Sequence, residues 1–143
     1  MSRIIAIDYG TKRCGIAVSD ELQIIANGLK VIDPKDIFSF LELYIKQNNV
    51  SEIIVGYPIG MRGQITSTTL IIEDFIRQLK NKFLQLKIEK FDERLTSVMA
   101  QKSMLEAGYK KSVRQKKENI DIIAATILLQ NYLDLKQLQN TKQ

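Results

Sequence analysis

Residues 3–19 read RIIAIDYGTKRCGIAVS, two largely apolar stretches joined by a short polar turn. The first stretch, Arg3–Asp8, contains the continuous run of isoleucine and alanine that is typical of a buried strand. A turn follows at residues 10–12, and Cys14–Ser19 alternates as a second strand. The carboxylate of Asp8 therefore stands at the end of a strand, where ligands gather in open α/β sheets.

The rest of the chain predicts one further strand and then alternating helices and strands. Leu22–Ile32 predicts the third strand, with Asn27-Gly28 as a hairpin or bulge signal. The later elements are, in order, a helix after Asp33-Pro34 with apolar residues from Ile37 to Ile45, a strand at Glu52–Gly56, a helix from Leu70 to Phe83, a strand at Leu86–Phe91, a helix from Thr96 to Gly108, and a helix from Asn119 to about Leu138. We expect an α/β fold in one domain, residues 1–143, with a mixed five-stranded sheet of three antiparallel and then two parallel strands flanked by helices.

The composition excludes several kinds of chemistry. The chain has a formal net charge of +5, one cysteine and no histidine. Without histidine there is no imidazole-ligated zinc and no Ser–His or Cys–His nucleophilic pair. We expect Cys14 to be a buried packing residue, since a single cysteine cannot form an internal disulfide. No signal peptide or membrane-spanning run is evident, so we expect a soluble, cytoplasmic protein that does not bind membranes.

Carboxylates at three places are candidates for catalysis. Asp8 ends the first strand, Asp92 and Glu93 follow the strand Leu86–Phe91, and Asp121 interrupts an apolar run. Each has a structural alternative: a turn-forming aspartate, acids that favour a helix dipole, and a helix cap, respectively. Only one of Asp92 and Glu93 is expected to face a shared site, because neighbours on a strand point to opposite faces.

A cluster of these acids would favour divalent cations. Carboxylates brought together repel one another and destabilise the empty site. Mg²⁺ takes oxygen ligands, usually one or two carboxylates together with substrate phosphates, and Mn²⁺ suits similar ligands. Two such ions can activate a water and stabilise the leaving oxygen of a phosphodiester. The residues therefore allow Mg²⁺- or Mn²⁺-dependent phosphoryl chemistry, although they do not require it.

One stretch is strongly basic. Residues 108–117 contain five cations and no acid, and these are Lys110, Lys111, Arg114, Lys116 and Lys117. Such a stretch favours sequence-independent, salt-sensitive contact with a nucleic-acid backbone, and the alternative is a solvated charged loop. Arg13 and Arg62 are candidates to extend the same surface.

Four motifs together resemble one known family. They are IDYGTKRCGIAVSD at 7–20, VGYP at 55–58, DERLTS at 92–97 and IDIIAA at 120–125. In this order and spacing they resemble the bacterial pre-16S rRNA nuclease family, also described as a Holliday junction resolvase family. The chain departs from the family at Cys14, where an aliphatic residue is common, and at residues 59–64, which lack the asparagine often found after the proline.

The resemblance implies an RNase H-like fold, which also suits the predicted order of elements. It further implies a divalent-metal nuclease in which Asp8, Glu93 and Asp121 form the acid triad. Its expected substrate is pre-16S rRNA, free or in a ribosomal particle, and its expected role is 5′-end maturation in the cytoplasm.

Three alternatives stay open at this point. A Holliday junction resolvase would act on branched DNA and would require a homodimer, whereas the sequence alone allows a monomer or a homodimer. Asp8, Gly10 and Thr11 also resemble the first phosphate loop of actin-like ATPases, which close a nucleotide between two such domains. A non-catalytic RNA-binding module would need the basic stretch but not the three acids.

Overall fold

The structure is a computed structural model that describes residues 1–57, 67–92 and 117–141, with residues 117–119 and 140–141 described by their backbone alone. Its elements are β1 (Arg3–Tyr9), β2 (Cys14–Ser19), β3 (Ala26–Ile32), a 3-10 turn (Pro34–Asp36), α1 (Ile37–Gln47), β4 (Val50–Tyr57), α2 (Ser67–Lys82), β5 (Lys87–Asp92) and α3 (Lys117–Thr141). The strand order is β3-β2-β1-β4-β5. The β1–β2 and β2–β3 pairs are antiparallel, while β4 runs parallel to β1 and β5. The predicted mixed sheet is confirmed.

The third strand begins later than the sequence pattern predicts. It starts at Ala26 rather than at Leu22, because the preceding residues form a turn. The Asp20 carboxylate accepts hydrogen bonds from the backbone N–H groups of residues 24–25, at 2.7 and 2.9 Å. Gln23 adopts a left-handed conformation with φ of 59°. The hydrogen bonds to Asp20 and the left-handed conformation of Gln23 hold these residues in a turn. They therefore do not pair as a strand, although the side chains around them are apolar.

The Asn27-Gly28 signal marks a bulge and not a hairpin turn. Both residues lie inside β3, where Gly28 pairs with Ala17 and Lys30 pairs with Ile16. Leu29 is therefore the extra residue of a β-bulge.

The sheet has two differently covered faces. Ile5 and Ile7 of β1 point to one face, and they pack with Ile37 of α1 and with Ile72 of α2. Ile4 and Ala6 point to the opposite face, which α3 covers through Ala125, Leu128, Leu129, Tyr132 and Leu133. We call these the α1/α2 face and the α3 face. Strand alternation then assigns Asp8 to the α3 face, together with Ile4 and Ala6.

Small residues line the α3 face of β1 and β2, and α3 lies close to the sheet there. Ala6, Gly15 and Ala17 present little or no side chain to the helix.

Helix α3 begins at Lys117 and ends at Thr141, two residues before and three after its predicted bounds. None of the helices in the described ranges is long and apolar enough to cross a membrane.

Candidate active site

Asp8 lies at the carboxyl end of the central strand. It is the penultimate residue of β1, which pairs with β2 on one side and with β4 on the other. Its partner across the β1–β2 pair is Gly15, and directly opposed residues of an antiparallel pair point to the same face. Asp8 is therefore half-buried on the α3 face, beside a position that has no side chain.

Helix α3 contacts the sheet at that same position. A Cβ atom added to Gly15 would lie 2.2 Å from the backbone oxygen of Asp121 and 3.2 Å from its Cβ. Only a glycine allows this approach, because any other residue would push the helix backbone away. The missing side chain at Gly15 thus brings Asp121 next to Asp8, although the two acids lie far apart in the sequence.

The helix-cap explanation of Asp121 is excluded by the helix bounds. Because α3 begins at Lys117, Asp121 is its fifth residue and lies beyond the first turn. Capping groups bond to the N–H groups of the first turn only. Capping therefore does not explain why a carboxylate stands at position 121 within the apolar run.

Arg13 forms an ion pair with Asp121. Its Nε lies 2.7 Å from Oδ2 of Asp121, and the two side chains are 28% and 26% exposed. Oδ2 itself is buried. The sequence suggested Arg13 only as an addition to a basic surface, whereas the structure places it in direct contact with one of the acids.

Cys14 reports on the electrostatics of this region. The thiol is fully buried, and its Sγ lies 4.0 Å from the carbonyl oxygen of Gly10. Burial, followed by the negative charges of Asp8 and Asp121, raises the pKa of Cys14 from 9.0 to about 11, while the Gly10 contact opposes the shift. The thiol is therefore protonated and unreactive at neutral pH, and the expectation of a packing role is confirmed.

Asp92 belongs to the other face of the sheet. In β5 it lies two residues after Lys90 and four after Ile88, so these three side chains point to the same face. Lys90 forms an ion pair with Glu73 of α2 at 2.8 Å. Asp92 is therefore on the α1/α2 face, away from Asp8 and Asp121.

Several predicted site residues lie outside the described residues. These are Glu93, Arg62, Lys110, Lys111, Arg114 and Lys116. Lys117 is described only as the first residue of α3. Within residues 1–57, 67–92 and 117–141, no group of three carboxylate or thiol side chains is close enough to hold a metal ion.

The sequence analysis missed one buried carboxylate outside this site. Glu52 lies in β4 with a side chain that is 4% exposed, and its Oε1 is 3.3 Å from Nζ of Lys136. The Tyr132 hydroxyl contacts Oε2 of Glu52 and lies 3.1 Å from Oε2 of Glu89. A cavity of about 360 Å³ adjoins this cluster between β5 and α3, with Lys87, Glu89, Tyr132 and Lys136 among its lining residues. A charged residue inside the apolar strand Val50–Tyr57 was the signal that could have identified it.

Comparison with known proteins agrees with this fold. The family model described as "RuvX: Holliday junction resolvase" matches residues 2–135. A Bacteroides fragilis protein named "Putative pre-16S rRNA nuclease" is 50% identical over 138 residues, which is 96% of this chain and 100% of that protein. A Flavobacterium psychrophilum protein of the same name is 47% identical over 136 residues, 95% of this chain and 99% of that protein.

A solved structure shows the same architecture. The chain of T. thermophilus RuvC in complex with a Holliday junction substrate superposes with a TM-score of 0.57 at 14% identity, covering 96% of each chain. Mixed sheet and flanking helices therefore define the chain as an α/β protein of the RNase H-like class. The chain belongs to the RuvX family, and it is a nuclease, a hydrolase that acts on ester bonds of nucleic acid.

Proposed function

We propose that this nuclease depends on a divalent metal and matures the 5′ end of pre-16S rRNA in the cytoplasm, with Asp8, Glu93 and Asp121 as its metal-binding catalytic acids. The observation that carries the proposal is the approach of Asp121 to Asp8 across Gly15. The substrate is taken from the name of relatives that are up to 50% identical over almost the whole chain.

The two described acids fit a divalent cation. Opposed Cβ positions in an antiparallel pair are about 5 Å apart, and the Cβ position at Gly15 is 3.2 Å from Cβ of Asp121. The Cβ atoms of Asp8 and Asp121 therefore lie no more than about 9 Å apart. A carboxylate from each side could therefore hold one hard divalent cation such as Mg²⁺, which prefers oxygen ligands.

Glu93 is the proposed third acid. It lies outside the described residues, and its support comes from its neighbour. Asp92 belongs to the α1/α2 face and is therefore excluded as a partner of Asp8 and Asp121, which leaves Glu93 as the candidate of this pair of acids.

The chemistry divides between the acids and the basic stretch. Bound Mg²⁺ or Mn²⁺ would activate a water and stabilise the leaving oxygen of the phosphodiester. The basic residues at 110–117 would hold the substrate backbone, supported by Arg62. This stretch runs directly into α3, and Lys117 precedes Asp121 by about 6 Å along the helix axis. A strand of RNA bound by these cations would therefore pass close to the acids.

The test compares wild type with Asp8→Asn on two labelled substrates, a 16S rRNA 5′ precursor and a four-way DNA junction. Each is incubated with Mg²⁺, with Mn²⁺ and with chelator. We expect metal-dependent cleavage of the RNA that is lost in Asp8→Asn, while RNA binding is retained or becomes tighter because a repulsive charge is removed. The matched control is Asp134→Asn, an exposed aspartate at the other end of α3, which should cleave as wild type does.

Junction resolution is the second candidate, because the matching family is described as a Holliday junction resolvase and the RuvC structure holds such a substrate. Symmetric nicking of the junction by wild type, without cleavage of the RNA, would establish it instead. Wild-type cleavage rates in Asp8→Asn would contradict the acid triad. Binding without cleavage under every condition would contradict the proposed activity on these substrates.

A further inference from the structure

Backbone packing at two glycines fixes both members of the Arg13–Asp121 ion pair. A Cβ atom at Gly10 would lie 2.6 Å from the backbone oxygen of Arg13, so the turn from β1 to β2 is tightly closed against Arg13. A Cβ atom at Gly15 would lie 2.2 Å from the backbone oxygen of Asp121. The two backbones that carry the ion pair are thus held at a set separation before either side chain is placed.

The two oxygens of the Asp121 carboxylate differ in environment. Oδ2 is buried and lies 2.7 Å from Nε of Arg13. The side chain as a whole is nevertheless 26% exposed. A cation that enters from solvent therefore reaches this carboxylate through Oδ1 rather than through Oδ2.

We propose that Arg13 is a positioning residue, which holds Oδ2 of Asp121 and thereby directs Oδ1 towards the metal position. The inference rests on the proposed metal-dependent function. The guanidinium suits this task because it is planar and permanently charged, and because its Nε lies 2.7 Å from Oδ2 in an ion pair. The outer partners of metal-ligating carboxylates orient the ligands in many metal sites.

Arg13 has two opposed effects on cation binding. Its positive charge repels a divalent cation, whereas its contact with Oδ2 orients the ligand and reduces the entropy lost on binding. We expect orientation to dominate, because the charge of Arg13 is balanced by the carboxylate that it contacts. Loss of the contact should therefore weaken metal binding by about 10- to 100-fold, the range seen when such partners are removed.

The experiment is a calorimetric titration of the full chain with Mn²⁺ alone, in wild type, Arg13→Met and Arg13→Lys. Arg13→Lys keeps the charge but loses the Nε contact, so it separates orientation from charge. We expect Arg13→Lys and Arg13→Met both to bind Mn²⁺ about 10- to 100-fold more weakly. RNA binding in chelator, measured in parallel, should change little in Arg13→Lys. Arg77→Met is the control, since it removes an exposed guanidinium that is paired with Asp74 on α2.

Each outcome has a distinct meaning. Arg13→Lys that binds Mn²⁺ as tightly as wild type would overturn the positioning role, and tighter binding in Arg13→Met would show that Arg13 only competes with the cation. If circular dichroism shows that Arg13→Met does not fold, the Mn²⁺ affinity of Arg13→Lys tests the positioning role by itself. A wild type that binds no Mn²⁺ would overturn the metal-dependent function itself, and this result differs from a failure of Arg13 alone.

Discussion

The two ends of α3 each place a carboxylate against a cation, but in different settings. At the C-terminal end, Glu52 is 4% exposed, and Lys136 and the Tyr132 hydroxyl each contact one of its oxygens. At the N-terminal end, Asp121 is 26% exposed, and it meets a second carboxylate, Asp8, across Gly15. In the first cluster, groups of the protein contact both oxygens of the carboxylate. The second gathers acids at an accessible strand end, and this difference supports the proposal that the cation binds there.

The comparison teaches that burial of a charge does not by itself indicate function. Glu52 is the more buried acid, yet its partners tie α3 to β4 in a manner that requires no ligand. The two clusters sit on one helix, with Tyr132 about 16 Å along the axis from Asp121. Substitutions at the N-terminal end should therefore affect catalysis, and those at the C-terminal end should affect stability.

The largest effect is expected from Gly15→Ala. The new Cβ would meet the Asp121 backbone, which cannot move without shifting α3. A displacement of about 1 Å in a catalytic group can cost about 100-fold in rate, so we expect a loss of at least that size in cleavage of the RNA precursor. Overpacking should also lower the free energy of unfolding by about 1–3 kcal/mol, measured by urea denaturation.

Gly28→Ala is the matched control for this prediction. A Cβ there would meet Cγ2 of Ile122 at 2.5 Å and Oγ1 of Thr126 at 3.0 Å, which are side-chain atoms of the same helix and not its backbone. We therefore expect α3 to be displaced less than in Gly15→Ala, and the loss of cleavage to be smaller. Equal losses in Gly15→Ala and Gly28→Ala would mean that α3 responds as a whole, and that the Gly15 contact does not position Asp121 in particular.

The second prediction concerns Tyr132→Phe at the opposite end. It leaves Glu52 buried without the hydroxyl donor, which should cost about 1–3 kcal/mol of unfolding free energy. Cleavage should change little, because the acids at the N-terminal end are untouched. The measurement pairs urea denaturation with the RNA cleavage assay, and Tyr44→Phe serves as a control for loss of a phenol from α1. A large loss of cleavage without a loss of stability would contradict the division between the two ends.

Tyr132 also makes the free energy of unfolding depend on pH. Burial, followed by the contact with Glu52, raises the pKa of Tyr132 well above 10.0. The folded protein therefore keeps the phenolic proton at a pH where the unfolded chain loses it. The resulting stability is complete below pH 10.0 and is lost as the pH rises above that value. Wild type should lose stability above pH 10.0 more steeply than Tyr132→Phe, and parallel pH profiles would refute the assignment.

Local patterns were sufficient to predict most of the fold. β2 has the predicted bounds, Cys14–Ser19, because alternation over a buried strand is a local property of the sequence. The start of β3 was wrong, since the Asp20 cap depends on hydrogen bonds that apolar patterning does not encode. The bounds of α3 differed only by two or three residues at each end, where periodicity fades.

The geometry of the site was far less predictable. Asp8 could be chosen because it ends a strand and Asp121 because it interrupts an apolar run, but the contact of Asp121 with Gly15 joins residues more than a hundred positions apart. A single sequence carries no information on such pairs, so the sequence analysis did not single out Gly15. The Glu52–Tyr132 contact, across 80 residues, was missed for the same reason.

The smallest expected effect is a shift in the pKa of Cys14. This shift compares the influence of the carboxylates at the two ends of α3. The negative charges of Asp8 and Asp121 contribute to the raised pKa of this thiol, about 11, after the larger contribution of burial. Asp8→Asn should therefore lower the pKa of Cys14 towards 9.0, whereas Glu52→Gln should leave it unchanged. Because this is the only cysteine of the chain, an isotope-labelled cysteine followed by NMR during a pH titration gives the value directly.

The sign of the linked stability follows from the direction of the shift. A thiol whose pKa is raised on folding contributes stability that is complete below pH 9.0 and is lost as the pH rises through about 11. Asp8→Asn should reduce that alkaline loss, and saturating Mg²⁺ should reduce it in wild type by the same electrostatic route. If Glu52→Gln lowers the pKa of Cys14 as much as Asp8→Asn does, the two carboxylate clusters are not electrostatically separate. The functional contrast between the ends of α3 would then rest on geometry alone.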